Sequence, residues 1–202
     1  MSALYRLPFT IVFLFLMIVA NYAAGTFAGV LPATSLQKWG ISHQDILGGG
    51  IYRLIAGTFL SHDFSMFLRQ FWFAASVIGF YEWGQGTLRA SGMFVVIDIL
   101  GTLVVLFAVL GPLDGAPWGA FHGVRSLHDV GMSAGGFGLI GAIAATLRYK
   151  YVTLFAILAS IAVKVMFDFD AIADTAHLVT LFIGFAAQIY LFENASNASN
   201  SL

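Results

Sequence analysis

Six apolar runs of near-bilayer length, broken by short polar links, leave this chain few ways to fold. They cover about residues 7–30, 64–83, 91–110, 130–147, 151–167 and 175–192. A helix that crosses a hydrocarbon core of about 30 Å needs about 20 residues. In lipid every backbone N–H and C=O has to be satisfied within the protein. The runs therefore predict an all-α polytopic membrane protein, with six transmembrane helices in one domain over residues 1–192. A short polar tail, residues 193–202, holds mostly Asn, Ser and Ala and is expected to be disordered. Composition agrees: 59% of the residues are hydrophobic and only 9% charged, too little charge for a water-facing globular surface. A net charge of −1 gives no reason to expect nucleic acid. The absence of cysteine excludes disulfides and thiolate metal sites. Arg6 ahead of the first run resembles the start of a signal peptide. No small-x-small cleavage pattern closes a short core, so a retained first helix is expected.

The links carry the breakers. Residues 31–50 read as a loop, with Pro32, Lys38, Trp39, Gly40 and the triplet Gly48-Gly49-Gly50. Residues 51–62 read as a partly buried lead-in to the second span. Residues 111–129 form a long second loop, where Trp118 and Phe121 are placed to gate access. Six spans put both termini on one side, which holds Arg6, Arg89, Arg148 and Lys150 against Lys38, Arg53 and Arg125 opposite. That bias places both termini in the cytoplasm, in a plasma membrane. The sequons Asn194-Ala-Ser196 and Asn197-Ala-Ser199 then face the cytoplasm and are expected to be unmodified.

Two stretches carry chemistry. Gly131-Met132-Ser133-Ala134-Gly135-Gly136-Phe137-Gly138 opens the fourth span, with Ala134, Gly138 and Ala142 at four-residue steps. Such a small face lets helices in lipid approach closely. The sixth span carries a lone histidine, His177. Ser133 lies 15 residues before Arg148 and His177 lies 16 before Glu193. At about 1.5 Å per residue the two sit at similar depth on helices of the same direction, several Å below the outer surface. A serine hydroxyl needs a base within about 3 Å to become a nucleophile, and neutral histidine is the base that works near pH 7. Backbone N–H groups at the unsatisfied start of the fourth helix supply donors for an oxyanion. Asp174, three residues before His177, is placed to orient the ring. Taken singly, the serine reads as packing and the histidine as a hydrogen-bonding group; only together do they suggest a dyad.

These stretches resemble the rhomboid family of intramembrane serine proteases. The match rests on Gly131-Met132-Ser133 with Ala134, Gly138 and Gly141 following, and on Ala176-His177 followed by Thr180 and Gly184. Tyr52-Arg53 is similar to the family's tryptophan-arginine pair, Phe59 to His62 to its lead-in to the second helix, and Gly79-x-x-Glu82 to that helix's end. The resemblance runs from about Tyr52 to Phe192. It implies a rhomboid-like six-helix bundle and a Ser133–His177 dyad that cleaves transmembrane segments of membrane proteins, without a cofactor. His62 matches the first of two histidines expected in the second helix, Phe67 stands at the second, and Phe71 stands at the oxyanion asparagine. Ala134 and Thr180 replace glycines. With that amide gone, His62 is the expected substitute donor ahead of Gln70, with Gly131 supporting the oxyanion. The departures leave two alternatives: a rhomboid-like protein that binds membrane clients without cutting them, and a small transporter.

Arg69, Asp98 and Lys164 lie within apolar spans, where an ionised side chain facing lipid is costly. They read as structural charges, with an Arg69–Asp98 pair between adjacent helices. Glu82 reads as a contact at a helix end near Arg89. Asp168, Asp170 and Asp174, with His43, His122 and His128, show no zinc-ligand spacing, so no metal is expected.

Overall fold

The computed structural model describes residues 6–115 and 121–193. Residues 117 and 118 of the second loop, both sequons and the tail from residue 194 lie outside that range. Helix α1, Pro8–Ala24, has Pro8 in its first turn and no side-chain cap of its own. Its free N–H groups are met from elsewhere: the Glu82 carboxylate accepts from Phe9 N at 2.9 Å, and from Thr10 N and Oγ1 at 2.8 and 2.7 Å. Glu82 is 1% exposed, and Thr87 Oγ1 adds a further donor. Its carboxylate thus accepts from the start of α1 and from Thr87.

The segment expected as loop holds two short helices, α2 (Ala33–Trp39) and α3 (His43–Leu47). Pro32 precedes the first of them rather than breaking it, where its missing N–H costs nothing. Ser42 caps α3 by accepting from Asp45 N. A short α4, Arg53–Ala56, leads through a 3-10 turn, Gly57–Phe59, into the second long helix. Arg53 fastens this region, donating to the Gln37 and Gly40 carbonyls at 2.6 and 2.8 Å.

Helix α5, Phe64–Gln85, begins at Asp63, which caps Met66 N at 2.7 Å. Helix α6, Thr87–Leu103, continues through a π-helical stretch, Val104–Leu110, into α7, Gly111–Leu113. The remaining helices are α8 (Ser133–Thr146), α9 (Lys150–Phe167) and α10 (Ala171–Gln188), the last running on as a π-helix to Glu193. Asp170 caps α10 by accepting from Ile172 N and Ala173 N.

Among the described residues three stretches are long and apolar enough to cross a membrane: Thr87–Leu113, Lys150–Phe167 and Ala171–Leu191. Helices α1 and α8 are apolar but shorter, at 17 and 14 residues. Helix α5 has 22 residues but carries Arg69, Gln70 and Glu82. The chain is therefore an all-α, multi-helix membrane protein with three clear spans.

Helix α8 is the centre. Nine of its fourteen residues are buried, all of them Gly, Ala or Leu. A helix apolar all round belongs inside a protein or a membrane. A Cβ on Gly135 would press on Phe94 and Asp98 of α6, and one on Gly138 would strike Ile97. On the other side a Cβ on Gly141 would strike the Leu181 carbonyl of α10, and one on Gly184 would strike the Gly138 carbonyl. Ala134 shares a buried cluster with Ala176, and Ala145 shares one with Phe185. The contacts advance in the same direction along both helices, so α8 and α10 run parallel.

Gly184→Ala should therefore force the two backbones apart, a loss of about 1–3 kcal/mol by overpacking. A detergent thermal melt checks it, with Gly92→Ala, which meets nothing within 4 Å, as the neutral control.

Candidate active site

Ser133 is the first residue of α8, and Met132 before it supplies no side-chain cap. The turn into the helix needs Gly131, whose φ of 135° lies in the region that favours glycine. Gly131 N donates to the Gly57 carbonyl at 2.9 Å, which pins the turn to the first loop. One turn into α8, the buried Asp98 carboxylate accepts from Gly135 N at 2.8 Å and from Thr58 Oγ1 at 2.7 Å. Among the described residues no hydrogen bond reaches the N–H groups of Ser133 and Ala134. The start of α8 thus presents free donors, as an uncapped helix start does.

His177 lies on α10 against this start. Its ring stacks on Phe137, centroids 3.9 Å apart and planes 15° apart. Phe137 is one helical turn beyond Ser133. Its side chain is 17% exposed, and Nε2 is buried with no hydrogen-bond partner among the described residues. Ser133 and Ala176, the neighbour of His177, line one cavity of about 30 Å³ with Asp129 and Gly131. That is room for a water or two. No hydrogen bond joins the Ser133 hydroxyl to the imidazole among the described residues.

The other residues singled out in the sequence fall as follows. Asp174 is 4.0 Å from His177 Nδ1, beyond hydrogen-bond reach. Both of its oxygens take Lys164 Nζ at 2.9 Å, and Asp170 N adds a third bond. It is committed to Lys164 and leaves the ring to Phe137. Arg69 does not pair with Asp98. It is exposed and donates to Ser65 Oγ at 3.3 Å, because it projects off the α5 face that meets α8. His62 bonds Asp129 Oδ1 at 3.1 Å, with side chains 38% and 39% exposed. Phe121 meets Phe169 edge-on, 6.1 Å between centroids.

Helix α5 shows two faces. Met66, Gln70 and Phe73, spaced by four and three residues, lie against Gly131 and Gly136 of the α8 start. Phe67 and Phe71 turn the other way, with Phe67 against Phe27 and Phe71 against Phe67. Of these α5 residues it is Gln70, one residue before Phe71, whose amide lies against Gly131. A glutamine inside an apolar helix, four residues after Met66 and three before Phe73, was the available signal. The Phe137–His177 stack joins two separate helices, and spacing within either one gives no signal of it.

Electrostatics outside the spans are set by pairs. The hydrogen bond to Asp129 raises His62 above its ordinary 6.5, against burial, which lowers it. For Asp45, burial pushes the carboxyl up, but the Ser42 hydrogen bond, Arg53 and His128 together hold it below its usual value. Among the described residues no cluster of three or more His or acidic side chains could hold a metal ion.

No protein-family model and no curated protein matches this sequence.

Two outcomes follow from this geometry. Asp98→Leu strands Gly135 N–H and Thr58 and should cost about 1–3 kcal/mol. Asp98→Asn, whose carbonyl still accepts from Gly135, should recover most of it in the same melt. The His62–Asp129 pair gives a pH signature. With the folded value raised, its stabilisation is complete below 6.5 and fades as pH climbs through that raised value. Melting temperature followed from about pH 6 to about pH 9 should fall across that window, and His62→Gln should flatten the fall.

Proposed function

We propose that this chain is a rhomboid-type intramembrane serine endopeptidase that cleaves transmembrane segments of membrane proteins through Ser133 and His177. The observation that carries the reading is the imidazole of His177, stacked on Phe137 one turn beyond Ser133, with a buried Nε2 that has no hydrogen-bond partner among the described residues. An apolar stack fixes the plane of the ring and leaves one nitrogen to take a proton.

The chemistry runs as an acyl transfer. Ser133 Oγ adds to the scissile carbonyl carbon while its proton passes to His177 Nε2. The carbonyl π pair moves to oxygen, and the resulting anion is met by the free N–H groups at the start of α8. The C–N bond then breaks, and the amine leaves with the proton held by His177. Water repeats the sequence on the acyl-serine and releases the acid. In the same reading the six apolar helices α1, α5, α6, α8, α9 and α10 all cross a plasma membrane, with both termini cytoplasmic. The substrate is a membrane helix that unwinds near its outer end, since only an extended strand exposes its carbonyls to attack.

One observation favours a second reading. Ser133 and His177 share no hydrogen bond, which suits a protein that holds membrane clients without cutting them. The transporter reading loses its residues: Lys164 is taken by Asp174, and Asp98 by Thr58 and Gly135.

Cleavage of a transmembrane reporter in liposomes decides. Ser133→Ala and His177→Ala should each reduce it below detection while melting as the parent does. A fluorophosphonate should label Ser133 in the parent alone. Cleavage retained in either variant ends the protease reading. A folded parent that neither cuts nor labels establishes the client-binding one.

A further inference from the structure

We propose that Gln70 is a catalytic residue, its side-chain amide donating to the oxyanion formed at Ser133. The proposal rests on the protease reading above and adds to it a donor that position 71 cannot supply.

A chain of hydrogen bonds holds the amide. Gln70 is 7% exposed. Its Oε1 accepts from Ser61 Oγ at 2.7 Å, and Ser61 N in turn donates to Asn21 Oδ1 at 2.9 Å. Asn21 is itself held, donating through Nδ2 to the carbonyls of Met17 and Phe59. The chain of bonds fixes which end of the amide faces which way. With Oε1 committed to Ser61, Nε2 lies against Gly131, so close that a Cβ there would collide with it. No hydrogen bond among the described residues uses that nitrogen. An amide nitrogen carries two donors, and neither is used by Ser61, which takes the oxygen. They stand against Gly131, two residues before the candidate nucleophile, where the N–H groups of Ser133 and Ala134 have no hydrogen-bond partner among the described residues.

The alternatives for this role are engaged elsewhere. His62 is bonded to Asp129 and is more than a third exposed. Phe71 has no donor, and its ring lies toward Phe67 on the other face of α5. The glycine at 131 fits the same picture. A side chain there would fill the space that Nε2 occupies, besides being strained at that φ.

In the reaction the amide makes and breaks no covalent bond. When Ser133 Oγ bonds to the carbonyl carbon, its proton goes to His177 Nε2 and the π pair to oxygen. Gln70 Nε2–H then donates to that anion. The bond weakens when the C–N bond breaks and the carbonyl re-forms, so it favours the transition state over bound substrate.

Gln70→Glu separates this role from a structural one. The carboxylate still accepts from Ser61 but has no hydrogen to donate. It should melt within a degree or so of the parent, with kcat down by about 100-fold or more and KM little changed. As pH falls the ratio of its rate to that of the parent should climb, because a neutral carboxyl regains an O–H donor. A purely structural glutamine would give no such recovery. If Gln70→Glu does not fold, Ser61→Ala serves: it keeps the amide but frees its rotation, and should lower kcat about 10-fold at constant KM. Phe71→Asn should leave the rate at the parent value. Parent-like kcat in a folded Gln70→Glu, or in Ser61→Ala where that variant is needed, overturns the proposal. Because Ser133→Ala is assayed alongside, the two failures stay distinct. An inactive Ser133→Ala with an active Gln70→Glu removes Gln70 alone, whereas an active Ser133→Ala removes the protease reading itself.

Discussion

At the crossing of α8 and α10 two backbones meet with no side chain between them. Gly184 lies on the Gly138 carbonyl, and Gly141 lies on the Leu181 carbonyl. In lipid there is no hydrophobic gain from bringing helices together, so association depends on close packing and polar contacts. Everything around the candidate site inherits this approach. It sets α10 near enough for His177 to lie flat on Phe137, and it fixes the height of Ala176 beside Ser133. A larger residue at any of these glycines would shift a ring and a hydroxyl relative to one another.

A second group of contacts holds the surroundings still. Glu82, Asn21 and Asp98 are each at most 5% exposed, and each joins pieces far apart in sequence. Glu82 caps α1 from α5, Asn21 ties α1 to the segment before α5, and Asp98 ties α6 to both Thr58 and the start of α8. None is paired with a cation among the contacts described. Each instead accepts from backbone or hydroxyl donors, the arrangement that makes a buried polar group tolerable. The chain thus uses its few polar side chains as joints between helices whose apolar faces carry little orientational information.

Much of this was legible in residues. Apolar run length located all six long helices, with ends displaced by a few residues; α6 began at Thr87 rather than near Ser91, and α10 at Ala171 rather than near Thr175. The small residues of the fourth run pointed to a close helix approach, and the approach is there. What stayed hidden was rotational. Sequence spacing placed Arg69 and Asp98 in adjacent helices but could not say that Arg69 leaves the α8-facing side of α5. The ranking of Gln70 behind His62 as a donor rested on the same unknown, since an offset of one residue turns a helical position by about 100°. The short helices α2 and α3 were missed because their breakers lie at helix ends, where such residues belong.

Helix α9 shows what the Lys164–Asp174 pair accomplishes. Ile161 is its one buried residue, and only a narrow stripe with Leu154 and Ile157 packs against the Ala144, Ala145 and Phe185 cluster. The two oxygens of Asp174 hold the Lys164 ammonium at 2.9 Å each, and that bidentate grip selects a single azimuth. A turn of one residue would part the ammonium from Asp174 and leave that buried carboxylate uncompensated, which is costly. A helix with so narrow a packed stripe is therefore keyed to its neighbour by one charge, and its outward face is free to drift in sequence as long as that key remains.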